Sequence, residues 1–440
     1  MNSVNGRFAR LNCHFSRHFA VRVAVFAVVA LAVSPSLIAQ TIGTGSIVGF
    51  VADPQQKPLA GAKVEITDKA TAGVIHGTTS SAGLYSSGPI QPGDYAVRIE
   101  VKGFNIAHLS LAVHVGNTTR ADVTMQVGTE KPRPQTVGGT AVNIEQAGVQ
   151  SVVDGGTVEH LPIGGRNPLD LAQLEPGVQL QDGSVFGASK DGISSVSVLS
   201  RFGRGVRTEV DGVNVSDETT GASTQNIPAS AIKEFQLPES LLDLSAGSAA
   251  STVNIITRSG SDQIHGAVFG VYRGDQGAAP LPASSAGSDS SFQREQFGAN
   301  AGGAIIKDKV FLFADAERTQ QNLTSIEPFS FPFNTLNTVL SQPYREFDTD
   351  ARVDWNMRGS TRAFYRVNYF QNSDLRPDGS TTSAQQLDNT NNVATNTVGV
   401  DFTTGVYAHS LRFEYLKLRN SISDATSGLN AADNPIPGLG

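Results

Sequence analysis

The side chains in this sequence that could do chemistry are few and scattered. Glu145, Asp154 and Glu159 are near one another along the chain. Paired carboxylates act as general acid and base only in a cleft that perturbs one of them, and solvated acids are the commoner case. His76, His108 and His114 each stand alone in a strand-like run, without the further ligands at helix or strand spacing that a zinc centre needs. Gly43-Thr44-Gly45 followed by Gly49 misses the dinucleotide fingerprint, and no strand precedes it. The sequence has no phosphate-loop lysine, no Gly-x-Ser-x-Gly elbow and no His-Glu-x-x-His helix. No catalytic, cofactor or metal site is expected, and the chain reads as a non-enzyme.

The elements that would position any site begin after a targeting segment. Arg7, Arg10, Arg17 and Arg22 precede the apolar run Val23 to Val33, and Ser34-Pro35-Ser36 and Leu37-Ile38-Ala39 follow it. A basic start, an apolar core and a small-residue site are the layout of a secretory signal peptide over residues 1–39, cut near Gln40. The run is shorter than the roughly 20 residues that span a bilayer as a helix. Cleavage removes four of the 33 basic residues and none of the 40 acidic ones, leaving 29 against 40. That balance argues against nucleic acid as a partner, which needs clustered Lys and Arg. The single cysteine, Cys13, lies before the apolar run. A lipid-anchor cysteine would follow the run, and a mature chain without thiols has no disulfide framework, thiolate catalyst or cysteine metal site.

Gly45 to Val127 alternates apolar and polar residues in short runs separated by turn chemistry, the pattern of a small β-sandwich. Candidate strands are 46–51, 62–67, 74–79, 83–87, 94–101, 107–115 and 120–127. Pro58-Leu59-Ala60-Gly61-Ala62, then Gly83-Leu84-Tyr85, then Pro92-Gly93-Asp94-Tyr95 resemble the carboxypeptidase regulatory-like domain. That resemblance implies a transthyretin-like or immunoglobulin-like sandwich over residues 41–128, without peptidase chemistry. Ser80-Ser81-Ala82 departs from the family, which often has Asp or Asn before the glycine, and implies a weaker turn. Residues 129–141 form a linker, in which Lys131-Pro132-Arg133-Pro134 favours extended polyproline structure.

The next segment, 142–262, carries an ordered set of motifs. These are Leu161-Pro162-Ile163-Gly164-Gly165-Arg166-Asn167-Pro168-Leu169-Asp170-Leu171, Glu209-Val210-Asp211-Gly212-Val213-Asn214, Ile232-Lys233-Glu234-Phe235, and Val253-Asn254-Ile255-Ile256-Thr257-Arg258-Ser259-Gly260. Asn167 is placed to cap a short helix with Pro168 at its first position, stopped by Pro176-Gly177. Leu171 and Leu174, with Leu169 or Ala172, would face the core. Asp211-Gly212 predicts a tight turn, Pro228 a second short helix, and Val253 to Ile256 a last strand.

From residue 263 to 440 the alternation becomes cleaner. Ala351, Val353, Trp355 and Met357 fall on one face of a strand and Asp350, Arg352, Asp354, Asn356 and Arg358 on the other. After Gly359-Ser360, Ala363, Tyr365, Val367 and Tyr369 oppose Arg362, Arg366 and Asn368. Lys307-Asp308 turns a hairpin between 297–306 and 309–319, with Val310, Leu312 and Ala314 outward. Apolar-out, polar-in strands joined by short turns are the pattern of a transmembrane barrel, and Trp355, Tyr365, Tyr369 and Tyr415 suit an interfacial girdle. The polar stretches 276–291, 320–342 and 372–395 read as external loops.

Together the motifs of 161–273 resemble the plug of a TonB-dependent outer-membrane receptor of the Oar-like type. The implied fold is mainly β: a front sandwich, an α+β plug and the first strands of a barrel. A plugged barrel has about 22 strands, whereas about seven candidates are countable here by periodicity. The chain is therefore expected to be a C-terminally truncated form that makes no working pore by itself. The plug-motif residues to watch are Leu161, Pro162, Gly165, Arg166, Asn167, Asp211, Gly212, Asn254 and Gly260. The resemblance implies outer-membrane lipid and a TonB-type energy-coupling protein as partners, with Gln135-Thr136-Val137 the nearest candidate for the coupling box. It also implies uptake of a bulky ligand, location in the outer membrane and a periplasmic N-terminal domain. The rival is a non-transporting surface or adhesion protein whose sandwich binds carbohydrate, although Phe50, Tyr85, Tyr95 and Phe104 read as core.

Overall fold

The computed structural model describes residues 44–128, 135–136, 150–160, 166–174, 176–182, 193–198, 206–217, 221–238, 251–276, 291–327, 338–357, 361–377, 386–404 and 407–425. The expected signal peptide, Leu161, Pro162, Gly165 and Val137 lie outside them. Residues 40–440 form one compact unit.

Alternation builds the first part as expected. One sheet has the order β4 (Leu84–Ile90), β1 (Gly45–Ala52), β7 (Thr118–Arg120), with β8 (Val123–Thr124) also on β1. The facing sheet has the order β3 (Val74–Thr78), β2 (Lys63–Asp68), β5 (Gly93–Glu100), β6 (Ala107–Val113), β9 (Gln135–Thr136). Ile47, Val51, Val64, Ile66, Val97, Ile99, Leu109 and Leu111 meet between the sheets with Tyr85 and Tyr95. The expected strand 120–127 is instead two pieces. Asp122 Oδ1 accepts the Phe50 amide at 2.9 Å, so a side chain replaces the backbone partner and interrupts the ladder. Ser80 forms the turn that lacks the family's Asp or Asn: its oxygen accepts the Gly83 amide at 2.9 Å and its hydroxyl the Leu84 amide at 3.2 Å. The coupling-box candidate Gln135-Thr136 is the short β9, paired parallel to Ala107 and His108.

The plug is a five-stranded sheet in the order β10 (Gln150–Asp154), β15 (Ile232–Pro238), β16 (Ser251–Thr257), β13 (Val206–Val210), β14 (Val213–Asn214), beside the hairpin β11 (Val178–Asp182) and β12 (Ser194–Val198). Asn167 Oδ1 accepts the Leu169 amide at 3.0 Å, capping a 3-10 helix, Pro168–Leu174. Leu169, Leu171 and Ala172 are buried there, but Leu174 is 57% exposed. The buried pairs 168/169 and 171/172 repeat every three residues, and the next pair falls where the helix ends before Gly177, whose φ is +78°. Asp211 and Gly212 have φ of +51° and +81°, so the β13–β14 hairpin closes on a two-residue turn with both residues left-handed. A short 3-10 turn, Ala229–Ala231, follows Pro228.

Seven antiparallel strands follow in sequence order: β17 (His265–Gly274), β18 (Phe292–Ile306), β19 (Val310–Glu327), β20 (Thr338–Asn356), β21 (Arg362–Pro377), β22 (Gln386–Thr404) and β23 (Tyr407–Asp424). The sheet is an open barrel wall, with β17 and β23 at its edges. Trp355, Met357, Tyr365 and Leu312 point outward and are 52, 36, 45 and 39% exposed, whereas Asp350, Arg352, Arg366 and Asn368 are buried on the inner face. Two of the three expected polar loops are largely strand, since 320–327, 338–342, 372–377 and 386–395 all lie in ladders, and the third, 276–291, lies almost wholly outside the described residues. Backbone pairing tolerates polar side chains when they pair too. Asn391 donates to Asn372 at 2.9 Å, Asn389 to Asp374 at 2.7 Å and Asn420 to Asn389 at 2.9 Å.

Candidate functional site at the plug–barrel interface

The strand ends that flank the short connections (306 and 310, 356 and 362, 404 and 407) lie at one end of the wall, and those that flank the long ones (274 and 292, 327 and 338, 377 and 386) at the other. Two clusters hold the plug against its inner face.

At the short-turn end the site is built on Asp211. Its positive φ, which Asp adopts more readily than most residues, turns the carboxylate out of the plug sheet toward the wall. Asp211 Oδ1 accepts the Thr257 amide at 3.0 Å and Oδ2 accepts the Thr257 hydroxyl at 2.8 Å. Arg352 Nη1 donates to Oδ1 at 2.8 Å, Arg366 Nε lies 3.2 Å from Oδ2, and Arg412 Nε donates to the Asp211 carbonyl at 3.1 Å. Burial alone would raise the Asp211 carboxyl, but Arg352 and Arg366, with the Thr257 hydrogen bonds, hold it below the ordinary aspartate range. Each arginine also pairs with a wall carboxylate: Asp354 for Arg352 at 2.9 Å, Asp350 for Arg366 at 3.3 Å and Asp401 for Arg412 at 2.9 Å. Arg352 and Arg412 also lie over the Phe364 ring, 4.3 and 5.1 Å from its centroid. A plug carboxylate thus sits in a socket of wall guanidiniums, closed to water.

Toward the long-loop end the plug residue is Arg166, with φ of +53°. Its guanidinium lies 3.8 Å from the centroid of Phe269, and its Nε is 3.5 Å from Glu317 Oε1. Beyond it a cavity of about 410 Å³ opens between Arg166–Asp170, Asn226–Pro228 and strands β18 to β21. Glu346 Oε2 accepts from Asn226 Nδ2 at 3.0 Å and from the Tyr344 hydroxyl at 2.5 Å. Ser230 donates to Asp315 Oδ2 at 2.6 Å, between the two clusters.

The sandwich reaches the plug on the far side of the Asp211 socket. Lys233 Nζ donates to the Pro92 carbonyl, Gln236 Nε2 to the Val115 carbonyl at 2.8 Å, and His114 Nδ1 is 3.3 Å from Glu234 Oε1. Gln91 Nε2 donates to Asp354 Oδ1 of the wall at 3.3 Å. The hydrogen bond to Glu234, aided by its charge, raises the His114 pKa against the opposing effect of burial.

Of the sequence-derived site residues, the structure brings Arg166, Asn167 and Asp211 to this interface. Gly260 marks the handover, since a Cβ there would stand 2.4 Å from the Leu312 carbonyl oxygen and 2.7 Å from that of Gly303. Asn254 lies deeper in the plug sheet, donating to Gln236 Oε1 at 3.3 Å. Arg352, Arg366, Arg412 and Glu317 were not recognised from sequence as site residues. The available signal was a run of charged residues on the inner face of membrane strands, which require counter-charges, next to a plug motif with a buried-type turn aspartate. Among the described residues no cluster of His, Cys, Asp and Glu could hold a metal ion.

An outer-membrane β-barrel wall carrying a plug on its inner face, with a sandwich in front, is the class this fold and site define. Residues 46–126 match the carboxypeptidase regulatory-like domain family and residues 256–338 the outer membrane beta barrel domain family. Within that class the chain is related to the TonB-dependent transporter Oar of Myxococcus xanthus, at 27% identity over 304 residues, covering 62% of this chain and 26% of the relative. The chain thus spans about a quarter of that relative's length. Among solved structures it is similar to the ferric enterobactin receptor of Pseudomonas aeruginosa (17% identity, TM-score 0.47, 63% of this chain and 41% of that one). It is also similar to the outer membrane transporter YddB of Escherichia coli (13%, 0.45, 62% and 39%).

Proposed function

We propose that the chain belongs to the working part of a TonB-dependent uptake receptor. In this reading a bulky ligand enters the cavity beside Arg166 from the long-loop side, and the plug blocks passage until a TonB-type coupling protein pulls on it. Residues 1–39 direct export and are removed near Gln40, the sandwich 41–128 lies in the periplasm, 129–141 links it to the plug 142–262, and the wall begins at 263. The coupling protein would capture an extended segment by strand addition, for which Gln135-Thr136-Val137 is the candidate. The chain catalyses no reaction. The observation that carries this reading is the Asp211 socket. A permanently fixed core is better served by apolar packing, whereas a buried ion pair gives a docked state that is defined in register and can part into water-solvated charges. Tyr85 and Tyr95 are buried in the sandwich core, so a sugar-stacking platform built on them has no support.

The test uses Ser230, which is 2% exposed against Asp315. In cells carrying Ser230→Cys in the outer membrane, a membrane-impermeant maleimide should label this cysteine only when the coupling protein is present and the inner membrane is energised. Labelling that is indifferent to both would refute energy-coupled plug movement.

A further inference from the structure

The cavity beside Arg166 has a charge balance that selects its occupant. Its described lining presents five carboxylates, one on the plug and four on strands β19 to β21, against three guanidiniums. Arg166 is already committed, to Phe269 by its face and to Glu317 Oε1 by its charge. Glu317 Oε2 is buried with no hydrogen-bond partner. Glu346 and Asp348 accept hydrogen bonds from neutral donors, Asn226 and the Tyr344 hydroxyl for the first and Asn368 Nδ2 at 3.1 Å for the second, while the charge of Arg294 is shared between Glu346 and Asp170. Neutral donors orient a carboxylate without cancelling its charge. The excess of carboxyl groups over guanidiniums lies in a cleft with low-dielectric walls, where a cation that supplies the missing positive charge is held most strongly. Ile227, Pro228 and Leu323 add apolar surface at the same cavity.

We infer that this cavity takes its ligand by a cationic amine or guanidinium, placed between Glu317 and Glu346, and that it disfavours anionic metal chelates. The inference rests on the reading of the cavity as the ligand site. A basic, partly aliphatic peptide has the matching chemistry: its cation supplies the missing partner of Glu317 Oε2, and its stem covers the apolar surface. An anion of the same size would face the excess carboxylates unpaired.

The experiment is calorimetric titration of the purified full chain with three probes: tetra-arginine peptide, a ferric tris-catecholate chelate and maltotetraose. Tetra-arginine should bind at one site, and the double variant Glu317→Gln/Glu346→Gln should weaken it at least tenfold. Asp308→Asn, at an exposed short turn outside the cavity, should leave it unchanged. As a readout needing no variant, peptide added to the unaltered chain should slow hydrogen exchange at 166–171 and 344–348. Binding of the chelate or the sugar with those exchange signatures, while tetra-arginine is inert, would overturn the cationic class and leave the cavity as the ligand site. Peptide binding that survives the double variant and protects neither segment would overturn both. Failure of tetra-arginine to bind at all would overturn the inference.

Discussion

Replacing Asp211 by Asn isolates the charge of the plug socket. Asn tolerates the left-handed backbone that Asp211 occupies at φ +51°, and its carbonyl can still accept the Thr257 amide, so the turn survives. What is lost is the anion shared by Arg352 and Arg366, whose side chains are 4% and 0% exposed. Breaking a buried pair by removing one partner costs about 3–5 kcal/mol. Here Asp354 and Asp350 still face the two arginines, which places the loss at the lower end, about 3 kcal/mol. That is roughly a hundredfold shift in the balance between docked and undocked plug. Asp211→Ala additionally loses the Thr257 acceptors and the short polar side chain that eases the left-handed backbone, for about 1–2 kcal/mol more. Hydrogen exchange of β13, β14 and β16, in the chain held in detergent or a lipid disc, reads the opening free energy directly. If Asp211→Asn shifts it by less than about 0.5 kcal/mol, the typical effect of an unremarkable surface change, the socket is not what holds the plug. If Ala is damaging while Asn is not, the turn matters and the charge does not.

His114 makes the sandwich–plug contact pH-dependent: because its folded pKa is raised above the ordinary value of about 6.5, the contribution is complete below that value and is lost as pH rises through the folded pKa. A proton-exchange or NMR titration should show the contact weakening in that direction, and His114→Gln should abolish the dependence; docking that strengthens with pH would contradict it. Gly260→Ala brings a β-carbon within 2.4 Å of the Leu312 carbonyl oxygen and should cost about 1–3 kcal/mol, seen as a lower denaturation midpoint for the plug; an unchanged midpoint would mean that the handover relaxes freely. Residues 41–128 expressed alone should show β-type circular dichroism and a cooperative melt, because β1 to β8 enclose their own core; a persistent coil signal would move the boundary.

Much of this architecture was legible because it depends on period and turn chemistry. The faces of 350–357 followed from strict alternation, the Lys307-Asp308 hairpin from its flanking runs, and the Asp211-Gly212 turn from residues that tolerate positive φ. The site was less legible, since alternation says that Arg352 and Arg366 face inward but not which plug residue meets them. That pairing spans more than a hundred residues and is set by how the plug sits on the wall. Polar strand ends such as 372–377 and 386–395 read as loops because their pairing is carried by backbone and amide ladders, which leave no hydropathy signal. His114 looked like an isolated strand histidine for the same reason: its partner Glu234 lies on another part of the fold.

The central claim is that the plug must part from the wall for a ligand to pass. The most direct measurement places this chain in a receptor whose barrel wall is completed, bridges Ser230→Cys and Asp315→Cys with a short, reducible thiol crosslinker in the outer membrane of living cells, and follows uptake of a cavity-bound ligand. The account predicts that the bridged protein still binds ligand at its surface but accumulates none inside, and that reduction restores uptake. Undiminished uptake by the bridged protein would contradict it.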